Sequence, residues 1–414
     1  MQKLKNPLLS ALIRKRRKEL NWKQESLIIG MPISLSYYSE IERGNRAIPE
    51  DLLSSIWNKL QLPIFNDTWY TEHQKKIELL KKYLYYCSHS KIATLYNELI
   101  KESNSLQNSL LFLDYELTIF MYNSSYSHTV EKKQIKFLDT YYDLFSDEQK
   151  YIFRLYCGIY EKHLHHPERS FKYFKSLLDS KEKYSYYTEI LYYHSAIYFI
   201  QKGHLTVAQH LNKEAESLFL KEHNMNRLAY TMMHEAIIYT QENHYIEAEE
   251  IYDKLLEGSY GLSSRALNTA LCNACFNSMK ARHNEKAILY CKNLKPGWQD
   301  IPEIFNSIAW ILLQTNQEKE LDDFLAYSKQ FSKNKFIDDM LEIIDLQRKP
   351  DSEKKIETKL KNCEKYLIRE GSSEVMIFVY EQLIQYYETR SIVKQVKYLK
   401  KLNELNKRGM QYEQ

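Results

Sequence analysis

Two stretches decide how this chain folds: Ala196-Ile-Tyr-Phe-Ile-Gln201-Lys-Gly-His204-Leu-Thr-Val-Ala208 and Ala236-Ile-Ile-Tyr-Thr-Gln241-Glu-Asn-His244-Tyr-Ile-Glu-Ala248. Each reads as an apolar helical run, a short polar turn and a second helix. A small residue in the second helix follows one in the first by 12 positions. A third copy runs Cys275…Lys280-Ala281-Arg282-His283…Ala287, and a fourth runs Ala309…Gln314-Thr315-Asn316-Gln317…Leu321. The anchors 208, 248, 287 and 321 are spaced 40, 39 and 34 apart, and weaker copies anchor at Ser170, near Ala93 and near Gln395. Two small residues at a fixed offset let two crossing helices approach closely. Recurrence at a period of this size marks a stacked array of helix pairs, about nine of them between residues 70 and 410. Composition agrees: of 414 residues only 9 are Gly and 8 are Pro, while 35 are Tyr. A β-sandwich or barrel needs turn residues every 8–12 positions, so the expected fold class is all-α. The turns fall on Asn, His, Ser and Asp instead. Tyr suits the half-exposed faces of long helices, with an apolar body and a polar tip.

The pattern resembles tetratricopeptide repeats with long helices. That likeness implies a right-handed superhelical solenoid whose concave groove is lined by the first helix of each pair. Fourteen positions before the anchors stand His194, His234, Asn273 and Ser307, and seven before them stand Gln201, Gln241, Lys280 and Gln314. Eleven before come Ile197, Ile237, Phe276 and Trp310. Amides and imidazoles flanked by apolar side chains suit an extended peptide, because an amide both donates to and accepts from a backbone. The expected peptide-binding set is His194, Gln201, Tyr230, His234, Gln241, Asn273, Asn277, Asn306, Trp310 and Gln314.

Residues 1–65 hold 11 Lys and Arg against 6 acids, whereas the rest of the chain holds 47 against 48. The basic excess therefore sits in one small segment, as in the electrostatic footprint of a DNA-binding module. Its sequence predicts four helices: Leu8 to Leu20, Lys23 to Ile29, one capped by Ser34 and running to Glu42 before Gly44, and Glu50 to Leu60. The carrying residues are Leu12…Arg16-Arg17…Leu20, Gln24-Glu25-Ser26-Leu27, Ser39-Glu40-Ile41-Glu42-Arg43-Gly44-Asn45-Arg46, then Pro49, Leu52-Leu53, Ile56 and Leu60. They resemble the Cro/XRE-type helix-turn-helix. By that resemblance Gln24, Arg43, Asn45 and Arg46 contact phosphate, Leu35, Ser36 and Glu40 reach base edges, and Arg17 and Glu42 form an internal ion pair. The residues themselves add Ser34 and Tyr37, polar side chains near the start of a helix that would enter the major groove. The family usually has a positive-φ Gly before this helix. Pro32 cannot adopt that conformation, and Gly30 is the candidate to replace it. The expected domains are 1–65 for the helix-turn-helix, 66–73 for a linker and 74–410 for the repeats.

A helix-turn-helix followed by such repeats resembles the RRNPP family of peptide-sensing transcription regulators. The resemblance implies a homodimer on double-stranded operator DNA, controlled by a short intracellular signalling peptide in quorum sensing. Two alternatives stay open: a DNA-binding repressor controlled by a protein partner on the repeats, and a repeat adaptor that does not use DNA. No GxxxxGK, GxSxG or HExxH motif occurs, so neither enzyme activity nor a cofactor is expected. Cys272-x-x-Cys275 has no second pair, and His163, His165 and His166 end a helix, so packing rather than metal binding is expected of both. With a mean hydropathy of −0.56 and no signal-peptide core, the chain is expected in the cytoplasm, away from membranes.

Overall fold

A computed structural model describes residues 6–164, 166–258, 260–331, 333–349, 352–370 and 373–410. His165 lies outside the described residues. Every described regular element is helical, and the chain divides into two compact units. The first comprises 1–164 and 168–184, the second 165–167 and 185–414.

The first unit opens with α1 (Pro7–Glu19), α2 (Gln24–Ile28), α3 (Leu35–Glu42) and α4 (Glu50–Lys59). Asn6 caps α1 by accepting from the Leu9 amide at 3.0 Å, and Ser34 caps α3 by accepting from the Tyr37 amide at 3.2 Å. Ile13, Leu27, Tyr38, Ile41, Leu52 and Ile56 close one core among the four helices. Gly30 has φ +75. It supplies the left-handed residue of the turn two positions before Pro32, where a side chain would be strained.

The unit continues with α5 (Asp67–Tyr85), α6 (His89–Lys101), α7 (Ser103–Gln107), α8 (Phe112–Tyr122), α9 (Lys132–Thr140), α10 (Asp147–His163) and α11 (Pro167–Leu178). The expected linker does not hold as a linker. Asn66 caps α5, accepting from the Trp69 amide at 2.8 Å, and residues 67–73 are its first two turns. Phe65 stacks on Trp69 with ring centroids 3.7 Å apart, which starts the helix against what precedes it. The compact division accordingly falls near 184 instead of near 65. The weak copy at Ser170 is a true helix pair: Ser170 Oγ donates to the Gly158 carbonyl at 2.8 Å, and Gly158 lies against the Phe174 ring.

The second unit contains α12 (Tyr187–Lys202), α13 (Leu205–Lys221), α14 (Met225–Gln241), α15 (Tyr245–Glu257), α16 (Ser264–Lys280), α17 (Asn284–Lys292), α18 (Glu303–Gln314), α19 (Glu318–Ser328), α20 (Lys335–Leu346), α21 (Glu353–Glu370), α22 (Ser373–Tyr387) and α23 (Ile392–Met410). With the short α7 set aside, α5 to α23 run as nine successive pairs among the described residues. The small-residue positions are sealed: Ala196, Ala208, Ala236, Ala248, Ala287 and Ala309 have no exposed surface. First helices meet first helices, α12 with α14, α14 with α16, α16 with α18 and α18 with α20, as a helix-pair solenoid requires.

All four clear repeats turn in one way. Two positions before each second helix the backbone is left-handed: Gly203 (φ 74), Asn243 (φ 63), Arg282 (φ 63) and Asn316 (φ 54). The following amide bonds back five residues, His204 to Phe199, His244 to Tyr239, His283 to Ser278 and Gln317 to Leu312, at 2.8–3.0 Å. This is the Schellman closure, which satisfies carbonyls that a helix end would otherwise leave bare.

Candidate nucleic-acid interface and groove

Much of the basic charge of residues 1–65 is spent inside the first unit. Arg17 donates twice to Glu42, Nε to Oε1 at 2.6 Å and Nη2 to Oε2 at 2.9 Å, and once to the Trp22 carbonyl. Tyr38 donates to Glu42 Oε1 at 2.5 Å and Gln24 to Oε2 at 2.8 Å. Burial pushes the Glu42 pKa up, but the bonds from Arg17, Tyr38 and Gln24 outweigh it and hold the carboxyl below its usual range. The ion pair implied by resemblance is thus the centre of a buried quartet, and the Gln24 side-chain amide is engaged in it. Lys15, only 7% exposed, donates to the Gln107 carbonyl at 2.9 Å and lies over the Phe112 ring. Arg16 Nε donates to the Leu60 carbonyl at 3.2 Å, and Lys59 donates to the carbonyls of Leu27 and Ile29.

Lys18 and Lys23 stay exposed on α1 and before α2, and the rest of the exposed side chains of interest lie on and after α3. Ser36, Arg43, Asn45 and Arg46 are exposed. Arg43 donates to Glu40 Oε1 at 3.0 Å and Asn45 to Oε2 at 2.9 Å. The hydrogen bond from Asn45, helped by the charges of Arg43 and Arg46, holds the Glu40 carboxyl below its usual range. The Arg46 guanidinium lies 4.5 Å from the centre of the Tyr37 ring. Tyr38 is fully buried, as its register predicts. The structure thus brings Ser36, Tyr37, Glu40, Arg43, Asn45 and Arg46 together on one small face, while Ser34 is occupied as the cap. The arrangement offers two guanidinium groups and an amide for phosphates beside a carboxylate that can accept from cytosine.

In the second unit, α16, α18, α20 and α22 surround a cavity of about 410 Å³. Asn273, Asn306, Trp310 and Gln314 all line it, as do Phe276, Lys280 and Ser307 at the same register positions. The Asn306 Oδ1 is buried and has no hydrogen-bond partner among the described residues. At one end Lys280 Nζ donates to Glu381 Oε2 at 2.9 Å. Cys272, Met279 and Glu303 add to the wall from α16 and α18, and six residues complete the lining: Phe336, Ile337, Met340 and Ile344 from α20, and Glu381 and Gln382 from α22. These six were missed because the repeat signature lapses after Leu321. The apolar spacing Ile337, Met340, Leu341, Ile344 was the available signal.

Other expected groove residues lie elsewhere. Asn277 has no exposed surface: its Nδ2 donates to the Tyr245 carbonyl at 2.8 Å, and its Oδ1 accepts from Thr240 at 2.8 Å. It bolts three helices together and does not line the groove. Ten positions before the anchor is the face turned toward the neighbouring pair. His194 and His234 are each 7% exposed. Asn212 donates to the Thr231 carbonyl at 2.9 Å, which leaves its oxygen to accept from His234 Nδ1 at 3.2 Å. The His234 ring also stacks on Tyr193 at 4.5 Å, so it too is packing. Gln201, Tyr230 and Gln241 stand on α12 and α14, outside the cavity lining. Cys275 meets Cys291 at 3.2 Å, and burial pushes the Cys272 thiol up to about 12. Among the described residues, no three His, Cys, Asp or Glu side chains gather as a metal site, and no helix is long and apolar enough to cross a membrane.

No protein-family model matches the chain, and neither does any curated protein. Solved structures do. The Rap protein complexed with Competence and Sporulation Factor is 12% identical, with a TM-score of 0.66 over 82% of this chain and 99% of that one. NprR in complex with its cognate peptide NprX is 16% identical, with a TM-score of 0.61 over 80% of this chain and 98% of that one. Aspartyl phosphate phosphatase F from Bacillus subtilis is 15% identical, with a TM-score of 0.53 over 84% and 97%. At these identities the likeness establishes the fold: the chain has the tetratricopeptide-like helix-pair architecture of the Rap and NprR proteins.

Proposed function

We propose that this chain is a DNA-binding transcription regulator of the RRNPP type, which acts as a homodimer and is controlled by a short peptide held in its repeat groove. The observation that carries the reading is the pairing of two sites in one chain. One is the α3 face, with Glu40 between Arg43 and Asn45 and with Arg46 on Tyr37. The other is the apolar cavity edged by Asn273, Asn306 and Gln314. On DNA, α3 enters the major groove, where Ser36 and Glu40 meet base edges while Arg43, Asn45 and Arg46 meet phosphate. Glu40 exchanges its exposed partners for a base amino group, a change made easy by the small worth of exposed ion pairs. The peptide alters DNA affinity to the extent that it binds the competent and incompetent arrangements unequally.

The test is gel retardation of DNA from upstream of the chain's own gene, with and without peptides from the host's culture medium. Replacing Arg43 and Arg46 together with Ala removes about two phosphate contacts, so the slope of log affinity against log salt falls by about 1.8. Failure to retard any such DNA under either condition sinks the reading. The likeness to aspartyl phosphate phosphatase F favours a second one, in which the repeats engage a phosphorylated protein and the α3 face is idle. In that case the double substitution leaves the chain's cellular effect intact.

A further inference from the structure

We infer that the occupant of the cavity carries an anionic group, its terminal carboxylate or an acidic side chain next to a large apolar one, that displaces Glu381 from Lys280. This rests on the peptide reading above. Lys280 is the last residue of α16 and, among the described residues, the one cation in the cavity lining, which otherwise holds the carboxylates of Glu303 and Glu381. Its Nζ reaches Glu381 across 101 sequence positions, and the two side chains are 30% and 43% exposed. A pair so open to water is weakly held and open to competition. An incoming carboxylate arrives with apolar surface that the cavity can cover, which Glu381 cannot offer. Phe276, whose ring centre is 5.8 Å from Lys280 Nζ, and Trp310, Phe336 and Met340 supply that apolar wall.

A second observation sets the spacing. The buried, unpartnered Asn306 Oδ1 is an acceptor awaiting an N–H. The repeat register puts Lys280 level with Gln314, eight residues further along α18. That is about 12 Å of helix, which an extended peptide spans in about four residues. The occupant is therefore an extended segment with a backbone donor at Asn306, an apolar side chain in the cavity and a negative charge about four residues from the donor. Exchange at Lys280 also breaks the ion pair that joins α22 to α16. The occupant thereby gains a differential hold on two arrangements of the second unit, which a controlling ligand must have.

The experiment uses the full chain, immobilised, and an equimolar random heptapeptide mixture in two forms, free carboxyl and C-terminal amide. Retained peptides are identified by mass spectrometry. Free-carboxyl peptides with a large apolar residue among their last three positions should be enriched about tenfold over their amides. Lys280→Met should erase the preference with its circular dichroism unchanged, and Glu381→Gln should raise retention severalfold. Retention of amides only when they bear Asp or Glu assigns the anion to a side chain and still supports the exchange. Equal retention of acids and amides, or a preference unmoved by Lys280→Met, overturns this inference while leaving peptide binding intact. Retention of no peptide in either form overturns both.

Discussion

Replacing Arg17 with Met should reverse how the four-helix module of α1 to α4 responds to acid. In the native chain Glu42 is 4% exposed and takes two hydrogen bonds from Arg17, one from Tyr38 and one from Gln24. Removing the cation leaves a buried carboxylate with only neutral donors, a loss of about 3–5 kcal/mol. Hydrogen exchange of peptides covering 34–43 reads this locally, without assuming that the whole chain unfolds in one step. Protection there should fall by about two to four orders of magnitude. The native Glu42 pKa is depressed, so its stabilisation is complete above the unfolded value of about 4.3 and is lost as pH falls through the folded value. In the variant, burial dominates and the folded pKa rises above the unfolded one. Protection should then improve as pH falls from neutrality toward 4.5. Replacing both Arg17 and Glu42 with Met should recover most of the loss and flatten the acid response. If Arg17→Met costs less than about 1 kcal/mol, or loses protection on acidification as the native chain does, the quartet does not hold the module together.

Three further outcomes follow from the packing. Asn277→Ala removes two hydrogen bonds of a fully buried side chain, to the Tyr245 carbonyl and from Thr240, at a cost of about 1–3 kcal/mol, so the second unit should melt several degrees lower, while Asn273→Ala, on the cavity wall, should leave the melting temperature near native. Gly158→Ala places a methyl 2.4 Å from the Phe174 ring, which should cost about 1–3 kcal/mol in thermal unfolding and be partly relieved by adding Phe174→Leu. Arg282→Gly removes a side chain from a left-handed backbone and should stabilise by about 0.5–1 kcal/mol in a denaturant titration, whereas the same change at exposed, helical Arg265 should destabilise.

The first four helices were legible because their signals are local. Ser34, Gly44 and the apolar spacing of Leu27, Ile41, Leu52 and Ile56 each act within a few residues, and Gly30 could be identified because Pro32 excluded itself. The repeat was legible through small residues that close packing demands. The groove was half legible. Register alone brought Asn273, Asn306, Trp310 and Gln314 to one cavity, because α16 and α18 are successive first helices. It failed at His194 and His234, which are both buried, His234 against Tyr193 and Asn212. It also could not foresee α22, since a contact between Lys280 and Glu381 depends on how far the solenoid turns over 101 residues. The linker expectation at 66–73 failed because Asn66 caps a helix there and Phe65 stacks on its first turn at Trp69.

Lys15 has a consequence for range of motion. Its ammonium is fixed to the Gln107 carbonyl and covered by Phe112, Arg14 lies over Tyr141, and only residues 60–66 separate the last module helix from α5. The α3 face therefore cannot swivel on a tether in search of its target. It points wherever α7, α8 and α9 carry it, so on the proposed DNA its reach and rotational phase are properties of the whole first unit.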